Sequence, residues 1–290
     1  PPAARRGRGP LLDHPKRGER FGLAGVSAPL LRRGILFQGF FMSASIVYIH
    51  HDCFLLRAGG KTLLFDYPAP AYLPREAAQA AAAHIAGADL TVFVSHSHDD
   101  HFDPDIVAAT QDAAARRFVV SDDVADLYGD RLPPETRVME PDDAQDVAGL
   151  TVHALESNDM GLSYRIELEG LSVYFGGDMA LWDWPGQSPA ARRAVGMSWR
   201  RLLKTLAARP LDVAFSNMDP RLPSLAGAPD FVKKLAPAVF VPMHVNGKTH
   251  YIDRFANRLR RPGTTVFAYA GPGDVLELPA GLTPRPQSRP

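Results

Sequence analysis

The sequence has little or nothing of three features that would each indicate a particular class of protein. It has one cysteine, Cys53, among 290 residues, so an internal disulfide is excluded and a reducing cytoplasm is the expected location. Lysine and arginine together number 32, as do aspartate and glutamate, which leaves no net charge for a general hold on nucleic acid or an anionic membrane. No apolar run approaches the about 20 residues of a membrane-spanning helix. We therefore expect neither nucleic acid nor a membrane as a partner.

The two ends of the chain lack the apolar periodicity of the middle. Residues 1–41 are rich in arginine, proline and glycine, and residues 281–290 combine proline with polar side chains. Segments of this composition cannot bury enough apolar surface to offset the entropy lost on ordering. The sequence predicts a disordered leader or non-native extension over 1–41, with Met42 as a candidate start. A folded domain over 42–280 and a disordered tail over 281–290 follow.

The middle of the chain carries a dense cluster of metal-ligand side chains. Three histidines and two aspartates occupy six positions, His96-Ser97-His98-Asp99-Asp100-His101, directly after an apolar strand-like run at 90–95. Imidazole nitrogen and carboxylate oxygen are ligands of zinc, iron and manganese. A polar loop after a strand is the alternative, but chance seldom places four ligand-type side chains at this spacing. The motif predicts a metal site.

Apolar patterning predicts two strand-rich halves, each followed by helices. Strands are predicted at 45–50, 53–57, 61–66, 90–95, 149–155, 162–168, 171–176, 211–216, 238–242, 264–269 and 274–278. Helices are predicted at 75–86, 103–114, 121–129, 189–207, 228–236 and 249–260. This order indicates an α/β protein with two sheets packed face to face and helices on the outer faces.

Three other predicted strands also end in a ligand-type residue. Asp66 ends the strand from Lys61, Asp178 follows a strand and two glycines, and His244 ends the strand from Ala238. Each alone is more often a cap or turn residue. Together with the histidine-rich motif, they place an aspartate or a histidine at or directly after the carboxyl end of four predicted strands.

These motifs, in this order, resemble those of metallo-β-lactamase-fold hydrolases over roughly residues 44–280. The segments Tyr48-Ile49-His50-His51 and Gly177–Trp184 are similar to a little-characterised bacterial group of that superfamily, related to the ascorbate-phosphate lactonase type. The resemblance implies an αββα sandwich of two mixed β-sheets, with the active site along one edge and Asp66 in a structural role.

The resemblance also implies a two-metal hydrolytic site. The implied ligands are His96 and His98 for one ion, Asp100, His101 and His244 for the second, and Asp178 bridging both. Asp100 and Asp178 are the expected catalytic carboxylates. Zinc is the first expectation for the two divalent ions, with iron or manganese as alternatives and a single ion left open. Two such ions would share one water, lower its pKa and make a hydroxide the nucleophile.

One departure from the family pattern concerns the third histidine ligand of the first metal ion. The family supplies it from a loop that here reads Leu155 to Gly161 and contains no histidine. Asp159 is the predicted substitute and Glu156 the second choice. A carboxylate at this position would shift the preference of the site toward iron or manganese.

Five further residues are candidates for substrate binding. Trp182 and Trp184 closely follow Asp178, where they form an aromatic wall or pin the loop to the core. Lys248 and His250 lie near a helix start, where they meet an anionic group or are simply solvated. His51 ends the first strand and is expected at the rim of the pocket.

These observations favour a metal-dependent hydrolase that cleaves a small ester, lactone or phosphodiester with a metal-bound hydroxide. A nuclease of the tRNA-processing type is an alternative, disfavoured by the absence of net charge. A degenerate, non-catalytic binding module is a third hypothesis, raised by the missing histidine. The expected partner is a small-molecule substrate, and no oligomeric state is predicted.

Overall fold

A computed structural model describes residues 44–279 and residue 282 of the chain. The predicted leader over 1–41 and the predicted tail over 281–290, Leu282 excepted, lie outside the described residues. None of the described helices is long and apolar enough to cross a membrane.

The described residues contain strands and helices in both halves. The strands are β1 (Ser45–His50), β2 (Cys53–Ala58), β3 (Lys61–Phe65), β4 (Asp89–Val94), β5 (Ala115–Ser121), β6 (Arg137–Met139), β7 (Ala144–Val147), β8 (Leu150–Glu156), β9 (Leu162–Leu168), β10 (Leu171–Phe175), β11 (Val213–Asn217), β12 (Val239–Met243), β13 (Thr265–Val266) and β14 (Val275–Glu277). The helices are α1 (Arg75–Ile85), α2 (Ile106–Ala109), α3 (Asp122–Tyr128), α4 (Pro189–Leu206), α5 (Ala228–Leu235) and α6 (His250–Leu259). Two 3-10 turns lie at Gly129–Arg131 and Leu225–Gly227.

The strands form two seven-stranded mixed sheets with matching organisation. The first sheet has the order β14-β1-β2-β3-β4-β5-β6 and the second β13-β12-β11-β10-β9-β8-β7. In the first sheet, β1 to β3 are antiparallel and β3 to β6 are parallel. In the second, β7 to β10 are antiparallel and β10 to β13 are parallel. Strand β14 returns to the first sheet and pairs with β1.

Side chains from both sheets form the core between them, while helices cover the outer faces. Phe65 of the first sheet stacks on Phe175 of the second, with ring centroids 4.6 Å apart. The neighbouring Tyr174 points the other way and stacks on Phe231 of α5 at 5.6 Å, as strand alternation requires. On the first sheet, Leu64 and Val92 belong to a separate apolar cluster with residues of α1. The predicted αββα sandwich is confirmed.

Two parts of the predicted secondary structure are wrong. The helix predicted over 103–114 is reduced to Ile106–Ala109, and strands β5, β6 and β7 were not predicted. Asp103 accepts a hydrogen bond from the backbone N–H of Asp105, and the hydroxyl of Thr110 donates to the carbonyl of Ile106. Short polar side chains that bond the local backbone compete with helix formation. Strand β5 opens with one exposed residue, Arg116, between two partly buried ones. Strands β6 and β7 are too short for an alternation of buried and exposed residues to be recognised.

The topology brings many strand ends to one edge of the sandwich. Strand β1 runs in the same direction as β3, because each is antiparallel to β2, and β3 is parallel to β4. In the second sheet, β10, β11 and β12 are mutually parallel. The residues that follow the carboxyl ends of these strands therefore meet at one edge of each sheet.

Candidate metal centre

Strained backbone marks several of these strand ends. His51 after β1, Asp66 after β3 and His244 after β12 have φ angles of 52°, 42° and 60°, in the left-handed region. Such conformations cost about 1–3 kcal/mol for residues other than glycine and persist where surrounding contacts impose them. All three side chains are buried. The strain turns each side chain toward the same polar cluster.

The first set of ligand-type side chains, called here the outer group, consists of His96, His98, Asp159 and Asp178. One ligand atom of each lies within 4.8 Å of the others. His96 Nε2 lies 2.9 Å from His98 Nδ1 and 3.9 Å from an oxygen of Asp178. His98 Nδ1 lies 3.8 Å from an oxygen of Asp159. The structure therefore brings together both histidines of the first predicted site, the aspartate predicted to bridge and the predicted substitute carboxylate.

Gly161 lets the Asp159 loop approach the histidine motif. Its φ is +62°, and a Cβ at this position would lie 2.0 Å from the carbonyl oxygen of Ser95 and 2.7 Å from Cβ of His96. Only glycine fits such an approach without displacing the backbone. Glu156, the second-choice carboxylate, is instead exposed and pairs with Arg201 at 2.8 Å. The structure places it outside the outer group.

The second set, called here the histidine trio, consists of His51, His101 and His244. Their ligand atoms also lie within 4.8 Å of one another, and all three side chains are buried. Asp178 faces this set as well, with its Oδ1 atom 3.4 Å from His101 Nε2 and 3.6 Å from His244 Nε2. Asp178 therefore lies between the other members of the outer group and the trio, in the place predicted for a bridging ligand.

His51 and Asp100 occupy positions that differ from the sequence-based expectation. His51, expected at the pocket rim, lies inside the cluster, with its ring centroid 4.5 Å from that of His244. Asp100, expected beside His101 and His244, has its side chain about a third exposed and lies 3.4 Å from His51 Nε2. Among the described residues, one of the sets of three or more close ligand atoms includes His51, and none of them includes Asp100.

Buried carboxylates contact the trio from behind. Asp66 lies 2.7 Å from His101 Nδ1 and accepts two hydrogen bonds from Ser95. Asp219 lies 3.2 Å from His244 Nδ1. Asp52 accepts a hydrogen bond from the backbone N–H of His244 at 2.6 Å. Carboxylates behind histidine ligands fix the tautomer and the ring orientation, leaving the opposite nitrogen free for a metal.

Asp52 and Asp219 were not among the residues singled out from the sequence. Asp219 lies two positions after β11, in the same setting that identified Asp178 after β10. Asp52 directly follows His51 and has the appearance of an ordinary hairpin residue. The strand-end signal could therefore have identified Asp219, whereas the contact of Asp52 with His244 depends on the packing of two strands distant in sequence.

Burial shifts the protonation of the cluster toward neutral forms. Burial lowers the pKa of both His51 and His101 to about 3 and that of His96 well below its usual value. Burial also raises the pKa of Asp66 and Asp178 well above the usual range of a carboxyl group. The three imidazoles are therefore neutral at neutral pH, which is the form that ligates metals.

Asp100 and His244 depart from this trend because of their neighbours. Partial burial raises the pKa of Asp100, but the contacts with His51 and His101 outweigh it and leave the pKa below its usual value. For His244, burial lowers the pKa, but Asp178 and Asp219 outweigh burial and raise it.

The predicted substrate-binding residues divide into two sets. Trp182 is buried, donates from its indole N–H to the carbonyl of Asp178 at 2.7 Å and lies 5.1 Å from the ring of His244. Trp184 stacks on Trp182 with centroids 6.1 Å apart, and the guanidinium of Arg221 lies over Trp184. The two tryptophans therefore border the cluster.

Lys248 and His250 are exposed, and neither belongs to the sets of close ligand atoms found in the described part of the chain. His250 packs its ring on Tyr251, with centroids 4.3 Å apart. The structure therefore does not bring these two residues together with the metal-ligand candidates.

The donor set fits divalent metal ions. His101 Nε2 and Asp178 Oδ1 are buried, face each other and have no hydrogen-bond partner. Burying polar atoms without a partner costs free energy, and a cation between them removes that cost. Histidine nitrogens with carboxylate oxygens suit zinc, iron or manganese.

Comparison with known sequences shows what part of the chain is similar to a described family. A sequence profile described as a beta-lactamase superfamily domain matches residues 45–183, which include His96, His98, Asp159 and Asp178. Over these residues, slightly less than half of its length, the chain is similar to that superfamily. No functionally curated protein matches the sequence at a significant level.

Solved structures support the fold assignment. A metal-dependent hydrolase from Parabacteroides distasonis is 18% identical with a TM-score of 0.54, covering 77% of this chain and 91% of that protein. The metallo-β-lactamase fold protein YhfI from Bacillus subtilis is 14% identical with a TM-score of 0.56, covering 81% and 99%. CmlA, a diiron β-hydroxylase from Streptomyces venezuelae, is 16% identical with a TM-score of 0.54, covering 82% and 54%. At these identities the likeness shows the fold alone.

Proposed function

We propose that this chain is a metal-dependent hydrolase of a small ester, lactone or phosphodiester. The observation that carries the proposal is the position of Asp178, whose two oxygens face the outer group and the histidine trio respectively. That arrangement suits two neighbouring divalent ions. When bound, such ions lower the pKa of a shared water and polarise the oxygens of the attacked group.

The protein contributes ligands held in fixed orientation. Asp178 lies after the Gly176-Gly177 turn, and the carbonyl of Gly177 accepts a hydrogen bond from the side chain of Asn217. The carbonyl of Asp178 itself is held by the indole of Trp182. Both contacts are buried, so the bridging carboxylate is held at one position between the two sets of ligands. Fixed ligands are what a metal centre needs to orient a reacting group.

Asp159 is proposed as the third protein ligand of the outer group, in the place of the family's histidine. Its support is the short distance between its carboxylate and His98, together with the close approach allowed by Gly161. A carboxylate here adds negative charge to the site, which favours harder ions. The diiron chemistry named for CmlA supports testing iron beside zinc and manganese.

The border of the cluster supports a small substrate with an anionic or polar group. Trp182 and Trp184 form a stacked apolar wall, and Arg221 lies over the face of Trp184 with its side chain about half exposed. An aromatic wall with a guanidinium at its end can hold an apolar body and a carboxylate or phosphate group.

Elemental analysis combined with a substrate panel tests the proposal. Protein purified without a histidine tag is loaded separately with zinc, manganese or ferrous iron and its metal equivalents are counted. Each form is then tested on chromogenic esters, lactones and bis-phosphodiesters, with precursor tRNA as an additional substrate. We expect metal-dependent turnover of one small-molecule class, and cleavage of the tRNA alone would point instead to the nuclease.

A matched pair of histidine variants controls the assay. His98→Ala should lower metal content and turnover together, whereas His153→Ala, on strand β8 and outside the described sets of close ligand atoms, should leave both unchanged. Wild-type protein that binds no divalent metal would contradict the proposed function.

A further inference from the structure

We propose that the N-terminal half of α4 carries a binding site for a small molecule with a phosphate group. The site is an open depression of about 420 Å³, lined by Gln187, Pro189, Arg192, Arg193 and Arg200. None of these residues belongs to the sets of close metal-ligand atoms found in the described part of the chain. The site is therefore additional to the metal centre and does not depend on the proposed function.

The three arginines of the depression have no carboxylate partner. Among the residues that the structure describes, the guanidinium groups of Arg192, Arg193 and Arg200 form no ion pair and no hydrogen bond. The neighbouring Arg201 instead lies 2.8 Å from Glu156. The whole sequence has equal numbers of acidic and basic residues, so three unpaired cations lining one depression are a local excess of positive charge. Like charges repel, and a bound anion would remove that repulsion.

The start of α4 departs from the usual charge pattern of a helix. The helix begins at Pro189 and has no acidic residue in its first turn, whereas Arg192 and Arg193 follow directly. The N-terminal end of a helix carries partial positive charge, so it favours anions and disfavours nearby cations. Two arginines at this end are therefore unfavourable in the protein alone. A bound anion would offset their cost.

Gly196 makes room for the third arginine. It lies in the interior of α4, where glycine is less favourable than alanine. A Cβ at this position would lie only 3.3 Å from Nη1 of Arg200, so the guanidinium lies over the bare backbone of Gly196. Long side chains in a helix point toward its N-terminus. This direction brings Arg200 into the same depression as Arg192 and Arg193.

Gln187 adds an unpaired hydrogen-bond acceptor. Its Oε1 atom is buried and has no hydrogen-bond partner in the described part of the chain. A buried acceptor without a donor is costly, and a hydroxyl group of a ligand would satisfy it. The backbone N–H of Gln187 donates to the carbonyl of Trp184 at 3.3 Å, so the depression begins one turn after the aromatic wall in the chain.

The charge of the depression favours a phosphate over a carboxylate. An arginine can donate two parallel hydrogen bonds to either group. A phosphate monoester carries about two negative charges at neutral pH and three acceptor oxygens, which is more than a carboxylate offers. Three guanidinium groups therefore match a phosphate better. A hydroxyl near that phosphate would pair with Gln187, so the ligand class is a hydroxylated phosphate monoester.

Calorimetric titration with glycerol 3-phosphate tests the proposal, because this monoester combines a phosphate with hydroxyl groups. The full chain is compared with its variants Arg193→Gln and Arg200→Gln, and glycerol is the uncharged control ligand. Arg201→Gln is the matched control variant, since it removes a charge from the same helix that already has Glu156 as its partner. Vesicles of phosphatidylglycerol present phosphate groups on a membrane surface, and circular dichroism reports folding.

We expect the wild type to bind one equivalent of glycerol 3-phosphate and not to bind glycerol. Arg193→Gln and Arg200→Gln should each weaken binding by roughly 10–100-fold, the loss expected for hydrogen bonds between charged groups. Arg201→Gln should bind like the wild type. The melting temperatures of Arg193→Gln and Arg200→Gln should not fall, because these side chains have no partner among the described residues. A merely structural role would lower them.

Three results would overturn the proposal. Wild type that does not bind glycerol 3-phosphate has no such site, whether or not it hydrolyses esters. Equal affinity in the wild type, Arg193→Gln and Arg200→Gln would place the phosphate elsewhere, and equal weakening by all three variants would show a general effect of net charge. Binding to the vesicles without binding of glycerol 3-phosphate would assign the arginines to a membrane surface instead.

Discussion

The outer group and the histidine trio contain similar ligands in very different surroundings. In the outer group, the side chains of His98 and Asp159 are 48% and 40% exposed, and Asp159 lies on a loop. In the trio, every histidine is buried and each has an oxygen of a buried carboxylate within 3.7 Å of its Nδ1 atom. Ligands fixed before binding lose little freedom when the ion arrives, whereas exposed ones must be ordered. If both sets bind an ion as proposed, the trio would hold its ion firmly and the outer group would exchange its ion readily.

The largest effect is expected from Asp178, the residue that the two sets share. Asp178→Ala removes oxygens that face His96 on one side and His101 and His244 on the other. We expect both metal equivalents to be lost and turnover to fall to background. Elemental analysis after dialysis and the substrate panel measure this. Asp183→Ala is the matched control, since Asp183 bonds Ser224 instead. Retention of two equivalents by Asp178→Ala would refute a bridging role.

The second effect separates the two sets. Asp159→Ala should reduce bound metal toward one equivalent and lower turnover by about 100-fold, because the nucleophile would no longer be held by two ions. Asp159→His is expected to restore the second equivalent and shift the preference toward zinc. Glu156→Ala, which removes only the exposed pair with Arg201, is the control. Loss of metal from Glu156→Ala and not from Asp159→Ala would reverse the assignment.

The third effect concerns the trio alone. Asp66→Asn replaces a carboxylate oxygen near His101 Nδ1 with an amide NH2 group that can donate a hydrogen bond to this nitrogen. This favours the His101 tautomer that carries its proton on Nε2, which is the nitrogen that faces Asp178. We expect the affinity of the more tightly bound ion to fall about 10–100-fold while the outer ion is unaffected. Competition titration with a chelator measures both affinities. Equal weakening of the two ions would show that the sets are not independent.

The smallest effect is a pH dependence of the metal-free protein. Because the pKa values of His51 and His101 are about 3 when folded, against about 6.5 when unfolded, they contribute stability at neutral pH that is lost as the pH falls from 6.5 toward 3. Buried Asp66 and Asp178 have raised pKa values, so their contribution is lost in the opposite direction, as the pH rises.

Comparing variants isolates the histidine contribution. Metal-free His51→Gln should lose less stability than the wild type between pH 7 and pH 5, by roughly 1.4 kcal/mol per pH unit at most. Urea unfolding at several pH values measures the difference, with His153→Ala as the control. Identical slopes for wild type and His51→Gln would contradict the buried, neutral state of His51.

Most of the fold could be predicted because its strands are buried apolar runs with clear ends. The boundaries of β1 and β9 match the prediction, and α1 and α4 differ by one residue at one end. Strand β5 was missed because its first residues, Ala115-Arg116-Arg117, are exposed or only partly buried and resemble a loop. The alternation of apolar and polar residues predicts a strand only where one face of that strand is buried along its whole length.

The candidate site was predictable to the extent that each ligand follows a strand. His96, Asp178 and His244 satisfy that rule and come together in the structure. The place of His51 inside the trio depends on an irregularity in the pairing of β1 with β2, which leaves no mark in the residue pattern. The exposed position of Asp100 likewise depends on the path of a loop rather than on spacing.

The pairing of β14 with β1 links the end of the described chain to the metal centre. Strand β1, which directs His51, would be an open sheet edge without β14, and the backbone N–H of Tyr48 donates to the carbonyl of Asp274 beside that pairing. An uncovered edge can pair with a neighbouring molecule and invites aggregation. The short strand at Val275–Glu277 thus covers the edge of β1 and, through that pairing, supports the alignment of a histidine far away in sequence.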